Sequence, residues 1–152
     1  MKFGWQLELS HWESIPDDLR NSKSWVEVDY TSIGRLRVPD HPGVYMFCVR
    51  PVGIRRETNS KTQLFGKLFT PIYIGQTTNL HRRFVQHCQS PSRKLKSAVM
   101  CFGDSINFWF HKRNVDQIKV EESWLISCFG PSANEVSGSI RAKLGNPVPV
   151  GQ

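Results

Sequence analysis

The chain has no Cys-x-x-Cys pair, although it contains four cysteines, at 48, 88, 101 and 128. It also lacks an even disulfide framework, an N-terminal secretory pattern, an internal repeat, a low-complexity block and any apolar run long enough to cross a bilayer. A combination of His87, Cys88, Cys101 and His111 fits no common closed zinc spacing. Cys48 and Cys128 lie in apolar runs and read as small core residues. Reduced thiols without a leader or a span place the expected location in the cytoplasm and exclude a membrane role. Acids are scarce in the middle: residues 31–115 hold three against fourteen lysines and arginines, whereas residues 1–30 hold six against three and residues 116–152 hold four against three. The formal charge of +7 is therefore concentrated in one segment, which predicts a polyanionic partner and salt-sensitive binding.

With 152 residues the chain is long enough for one domain with a core that needs no staples. Residues 1–37 are acidic and carry Trp5, Trp12 and Trp25, too many large aromatics for a free tail, so this lead-in is expected to pack on the domain or to build a dimer contact. Gly43 to Val49 reads as a strand, and Pro71 to Ile74 as a second, ended by Gly75. Thr77 or Thr78 can cap a helix from about Asn79 to Gln89, which places Arg83 and His87 on one face and Leu80 and Phe84 toward a core. A helix over Ser92 to Phe102 presents Arg93, Lys94 and Lys96. A strand over Ser105 to His111 follows, then helical periodicity from Asp116 to Gly130, with Ile118, Leu125, Ile126 and Phe129 as an apolar stripe into which Glu122 falls. A carboxylate on such a stripe costs several kcal/mol unless it is paired or binds a metal. The tail, residues 135–152, reads as irregular. The expected fold is α/β (α+β), a three-stranded antiparallel or mixed sheet flanked by helices.

Between the first two strands lies an insertion, residues 50–70, with Arg50, Arg55, Arg56, Lys61 and Lys67. It reads as a strap over DNA or as a surface hairpin without function.

Gly43-Val44-Tyr45, then Tyr73-Ile74-Gly75, Arg83 ten residues after Tyr73, His87 four after that, and Glu122 followed by Leu125-Ile126, Pro131 and Asn134 resemble, in that order, the GIY-YIG nuclease superfamily. The resemblance covers about residues 38–134 and is nearest in layout to compact restriction-type endonucleases. Gln76 stands where several members have lysine or serine. The offsets select Arg83 over Arg82 and Glu122 over Glu121, leaving Arg82 as a phosphate contact and Glu121 as a solvated carboxylate.

The resemblance implies a metal-dependent endonuclease acting on DNA, restriction-like or defensive. Its alternatives are a repair, structure-specific or single-strand nuclease, or a non-catalytic nucleic-acid-binding module. Tyr45, Tyr73, Arg83, His87 and Glu122 are then the catalytic set, with Gly75 and Asn134 in support. Glu122 would hold one Mg2+ or Mn2+, and since residues 41–115 offer only Glu57 and Asp104 as acids, a second ion is not expected. Tyr45 or His87 would take the water's proton, with positive charge from Arg83, His87 and the metal lowering the Tyr45 phenol. Arg55, Arg56, Lys61, Arg82, Arg93, Lys94, Lys96, Lys112 and Arg113 are the candidate DNA contacts, and a homodimer on a two-fold site would cut both strands.

Overall fold

The computed structural model describes residues 9–49, 70–131 and 133–134. The insertion 50–70 (apart from Thr70), with Arg55, Arg56 and Lys61, and the tail 135–152 lie outside the described residues. The elements are α1 (Leu9–Ser14), α2 (Asp17–Arg20), β1 (Val26–Asp29), β2 (Gly43–Val49), β3 (Thr70–Thr77), α3 (Leu80–Gln89), α4 (Arg93–Phe102), β4 (Ile106–Lys112) and α5 (Ile118–Phe129).

The strands form one sheet in the order β1-β4-β2-β3, every pairing antiparallel. This corrects the three-stranded expectation, because the lead-in contributes β1, whose four residues pair with β4. Trp25, Ile15 and Leu19 from the same lead-in are buried.

Helices cover both sheet faces, so the central strand β2 is buried along its whole length and reads as an unbroken apolar run instead of an alternating one. Its odd positions, Tyr45, Phe47 and Val49, enter a core shared with Leu80 and Phe84 of α3, Leu95 of α4 and Phe108 of β4. Its even positions, Val44, Met46 and Cys48, enter a second core with Ile15, Leu19, and Ile118 and Leu125 of α5. A fully buried Phe or Leu contributes about 1.5–3 kcal/mol, so the two layers together hold the sheet.

The local boundaries differ from the expectation at two places that matter. β3 continues through Gly75 to Thr77, because Gly75 sits in register opposite Tyr45 and its missing side chain leaves room for the Tyr45 ring; a Cβ there would overlap the phenol. The cap of α3 is Asn79, whose side chain accepts from the Arg82 N–H at 2.8 Å.

On α5 the buried positions are Ile118, Glu121, Leu125 and Cys128. The carboxylate on the core-facing stripe is therefore Glu121, not Glu122, and Phe129 is exposed. Glu121 is satisfied by Arg113, which donates from Nε at 2.9 Å and from Nη2 at 2.5 Å. Arg113 also reaches Asp18 of α2.

Candidate active site

Tyr45 projects from β2 into the first core, stacked at 22° and 6.2 Å on Tyr73 of the neighbouring strand. Over these rings lies α3, whose buried face comprises Leu80, Phe84 and His87. His87 Nε2 is 2.9 Å from the Tyr45 hydroxyl, and Arg83, one turn earlier, donates from Nε to the same oxygen at 3.2 Å. With Arg83 donating, the phenol's own hydrogen is free to go to Nε2, which fits an imidazole protonated on Nδ1. The Tyr30 hydroxyl donates to the His87 carbonyl at 2.5 Å and holds the end of the helix.

The electrostatics differ from the expectation. Burial, helped by the Arg83 charge, lowers the His87 imidazole to about 4 from its ordinary value of 6.5, so His87 is neutral at neutral pH and supplies no positive field. Burial and the neighbouring Tyr73 push the Tyr45 phenol up, and Arg83 opposes this only in part. Of the expected sources of positive field, His87 is therefore corrected to a neutral group, and Arg83 alone does not outweigh burial: the hydroxyl is held between a guanidinium and an imidazole.

Glu122 approaches from the other side of the sheet. α5 packs on the second core, but its half-buried position 122 lies by the free edge of β3, where the Gln76 backbone N–H favours its charged form. Burial raises this carboxyl, and the Gln76 N–H and the Arg83 charge pull it back. The same edge is closed further along: the Asn134 side chain accepts from Ile74 N–H at 2.8 Å and donates to Ile74 C=O at 2.7 Å, and Ala133 N–H donates to Ile72 C=O at 2.7 Å. Asn134 thus grips the backbone of β3 between Tyr73 and Gly75.

Among the described residues no cluster of three or more His, Cys, Asp or Glu could cage a metal. Glu122, the one carboxylate at the site among the described residues, suits a hard cation that keeps most of its waters.

Of the remaining sequence candidates, Arg82, Arg93, Lys94, Lys96 and Lys112 are exposed, with Lys94 donating to the Asn134 carbonyl at 3.3 Å. Arg113 is not a free DNA contact, because its guanidinium is committed to Glu121 and Asp18; Glu121 in turn is not solvated, with 2 % exposure. The positioning roles of Tyr30, Gln76 and Gln86, which accepts from Arg83 at 3.2 Å, had no sequence signal beyond their nearness to named residues.

No protein-family model and no curated protein matches the chain. Among solved structures it is similar to the GIY-YIG N-terminal endonuclease domain of UvrC from Thermotoga maritima. The form bound to magnesium, its catalytic divalent cation, has 22% identity and a TM-score of 0.44, covering 66% of this chain and 91% of that one. A point mutant of the same domain, also bound to the catalytic divalent cation, has 20% identity and a TM-score of 0.45 over 67% of this chain and 91% of that one.

Proposed function

We propose that this protein is a metal-dependent endonuclease that hydrolyses DNA phosphodiester bonds. The observation that carries the reading is the shared hydroxyl: Arg83 Nε and His87 Nε2 converge on the Tyr45 oxygen, and Arg83 also acts on Glu122 at the sheet edge. A guanidinium, a proton relay and one carboxylate are the parts phosphodiester hydrolysis needs.

Tyr45 accepts a proton from the attacking water while its own hydrogen passes to the neutral His87, so no free tyrosinate forms in a site that disfavours one. Arg83 offers its remaining N–H groups to the phosphate, and its planar fork suits two oxygens at once. Tyr73, half-buried beside the relay, orients the water. Glu122 would hold Mg2+ or Mn2+, one ion per site, which when bound supplies Lewis-acid stabilisation of the leaving oxygen. The exposed cations on α3 and α4 favour duplex DNA, and restriction-like or defence cleavage by two chains on a two-fold site extends the proposal.

Plasmid, single-stranded DNA and RNA incubated in Mg2+ and in EDTA provide the test. Discrete DNA fragments in Mg2+ alone are expected, with Glu122→Gln and Tyr45→Phe losing about 10²–10⁴-fold in rate while still binding DNA. Full activity in Glu122→Gln would remove the metal assignment, full activity in Tyr45→Phe the relay, and no cleavage of any substrate would leave a binding module.

A further inference from the structure

Between β1 and β2 the chain makes a 3-10 turn, Gly34–Arg37, opened by Ile33 in a helical conformation and closed by Leu36 N–H donating to Ile33 C=O at 3.2 Å. Residues three apart eclipse in a 3-10 helix, so Ile33 and Leu36 stand on one side, where they are 76% and 78% exposed. Arg35 and Arg37, both exposed, flank Leu36. A single exposed aliphatic residue is ordinary, but this pair is held on a rigid base. Gly34 is buried beside Phe84 and so close to the Asp29 carbonyl that a Cβ there would overlap that oxygen and touch the Phe84 ring. Its N–H donates to the Thr31 carbonyl at 3.1 Å, and the buried Val38 N–H donates to Arg35 C=O at 3.2 Å. The segment is fixed to α3 at three points: Tyr30 on the His87 carbonyl, Gly34 against Phe84, and the Val38 carbonyl 3.0 Å from His81 Nδ1. It lies on the same sheet face as Tyr45, Arg83 and His87, with α3 and its exposed Arg82 in between.

We infer that this turn is a wedge for duplex DNA: Ile33 and Leu36 enter a base step from the minor groove, and Arg35 and Arg37 hold the backbone on either side. Charge selects this occupant. A second copy of the chain docked through the same patch would oppose Arg35 and Arg37 to their own equivalents. Two aliphatic side chains are also far short of the apolar stripe with which an interfacial helix holds a lipid surface. A wedge here would bend the duplex across α3, bringing it toward Arg82 and the catalytic hydroxyl. The inference rests on DNA being the substrate.

A side chain that parts a base step untwists DNA, so the test reads linking number. Closed circular plasmid, which offers every sequence, is relaxed by a metal-independent topoisomerase in EDTA with the wild type or with Ile33→Ala/Leu36→Ala. Affinity for a duplex is measured alongside by fluorescence anisotropy. The wild type is expected to shift the topoisomer distribution. The double variant should abolish the shift and bind roughly tenfold more weakly, with an unchanged melting midpoint because both side chains are exposed. Equal shifts from both proteins, or no shift from bound wild type, would overturn the wedge. So would a variant that loses only self-association or binding to anionic vesicles. A wild type that untwists DNA yet cleaves nothing in Mg2+ keeps the wedge and removes the nuclease reading; one that cleaves without untwisting does the reverse.

Discussion

At the scale of single residues the site is built around one oxygen, and its pH behaviour follows from the ring beside it. His87 binds a proton near pH 6.5 when unfolded and only at about 4 when folded. Between those values the unfolded chain holds the extra proton, so the contribution is complete above about 6.5, is lost as pH falls toward about 4, and does not change further below. At about 1.4 kcal/mol per unit the loss is at most about 3.5 kcal/mol. Urea unfolding at pH 7 and pH 4.2 is expected to show a larger loss for the wild type than for His87→Gln; equal losses would mean that the imidazole is not buried neutral. Gly75 gives a steric counterpart. A methyl at this position has no room against the Tyr45 ring, so Gly75→Ala should cost about 1–3 kcal/mol. It should also move the phenol off Arg83 and His87, with cleavage falling further than the melting curve accounts for. Wild-type turnover in a folded Gly75→Ala protein would contradict the placement of Tyr45.

At the scale of elements, two adjacent carboxylates on α5 take opposite parts. Glu121 faces the second core and locks to Arg113, while Glu122 turns to the edge of β3. Removing Arg113 strands Glu121 in an apolar layer, so Arg113→Ala should lose about 3–5 kcal/mol, whereas Arg113→Met with Glu121→Leu should recover most of it. Duplex affinity of the folded double variant should match the wild type, measured by anisotropy in EDTA; a clear loss would return Arg113 to the DNA contacts. This pair also marks what the sequence could and could not reveal. Helical spacing places 121 and 122 almost equally well on an apolar stripe, and the deciding partner lies in a loop outside the helix. Strand β2 was legible end to end because burial on both faces makes it uniformly apolar. β1 was not, since four residues with charges at Glu27 and Asp29 carry little pattern, and their strand character comes from pairing with β4 some eighty positions away. Tyr45, Tyr73, Arg83 and His87, named from motif spacing, do meet at one hydroxyl and its stacked ring. That His87 is neutral could not be read from spacing, because it depends on how Phe47 and Tyr73 enclose it, at 5.2 and 5.5 Å between ring centres.

At the scale of the whole molecule the charge is partitioned. The acids of the lead-in include Asp18, used internally on Arg113, whereas the cations of the middle segment that are described and exposed point outward. Five phosphate contacts, one each from Arg82, Arg93, Lys94, Lys96 and Lys112, would give a slope of log affinity against log salt of roughly −4.5. Between 50 and 200 mM salt that amounts to a loss of roughly 500-fold. Residues outside the described segments, Arg55, Arg56 and Lys61 among them, would steepen the slope if they also reach the duplex. Arg82 is the most discriminating position, because it follows the cap of α3 and immediately precedes Arg83, yet among the described residues it bonds only through its own backbone. Arg82→Ala is expected to make the slope shallower by about 0.9 and to weaken binding to all duplexes alike. It should leave hydrolysis of a small phosphodiester, too short to reach position 82, at the wild-type rate. If that small ester is also cleaved more slowly, Arg82 serves the reaction itself, and the choice of Arg83 as the sole guanidinium at the Tyr45 hydroxyl fails.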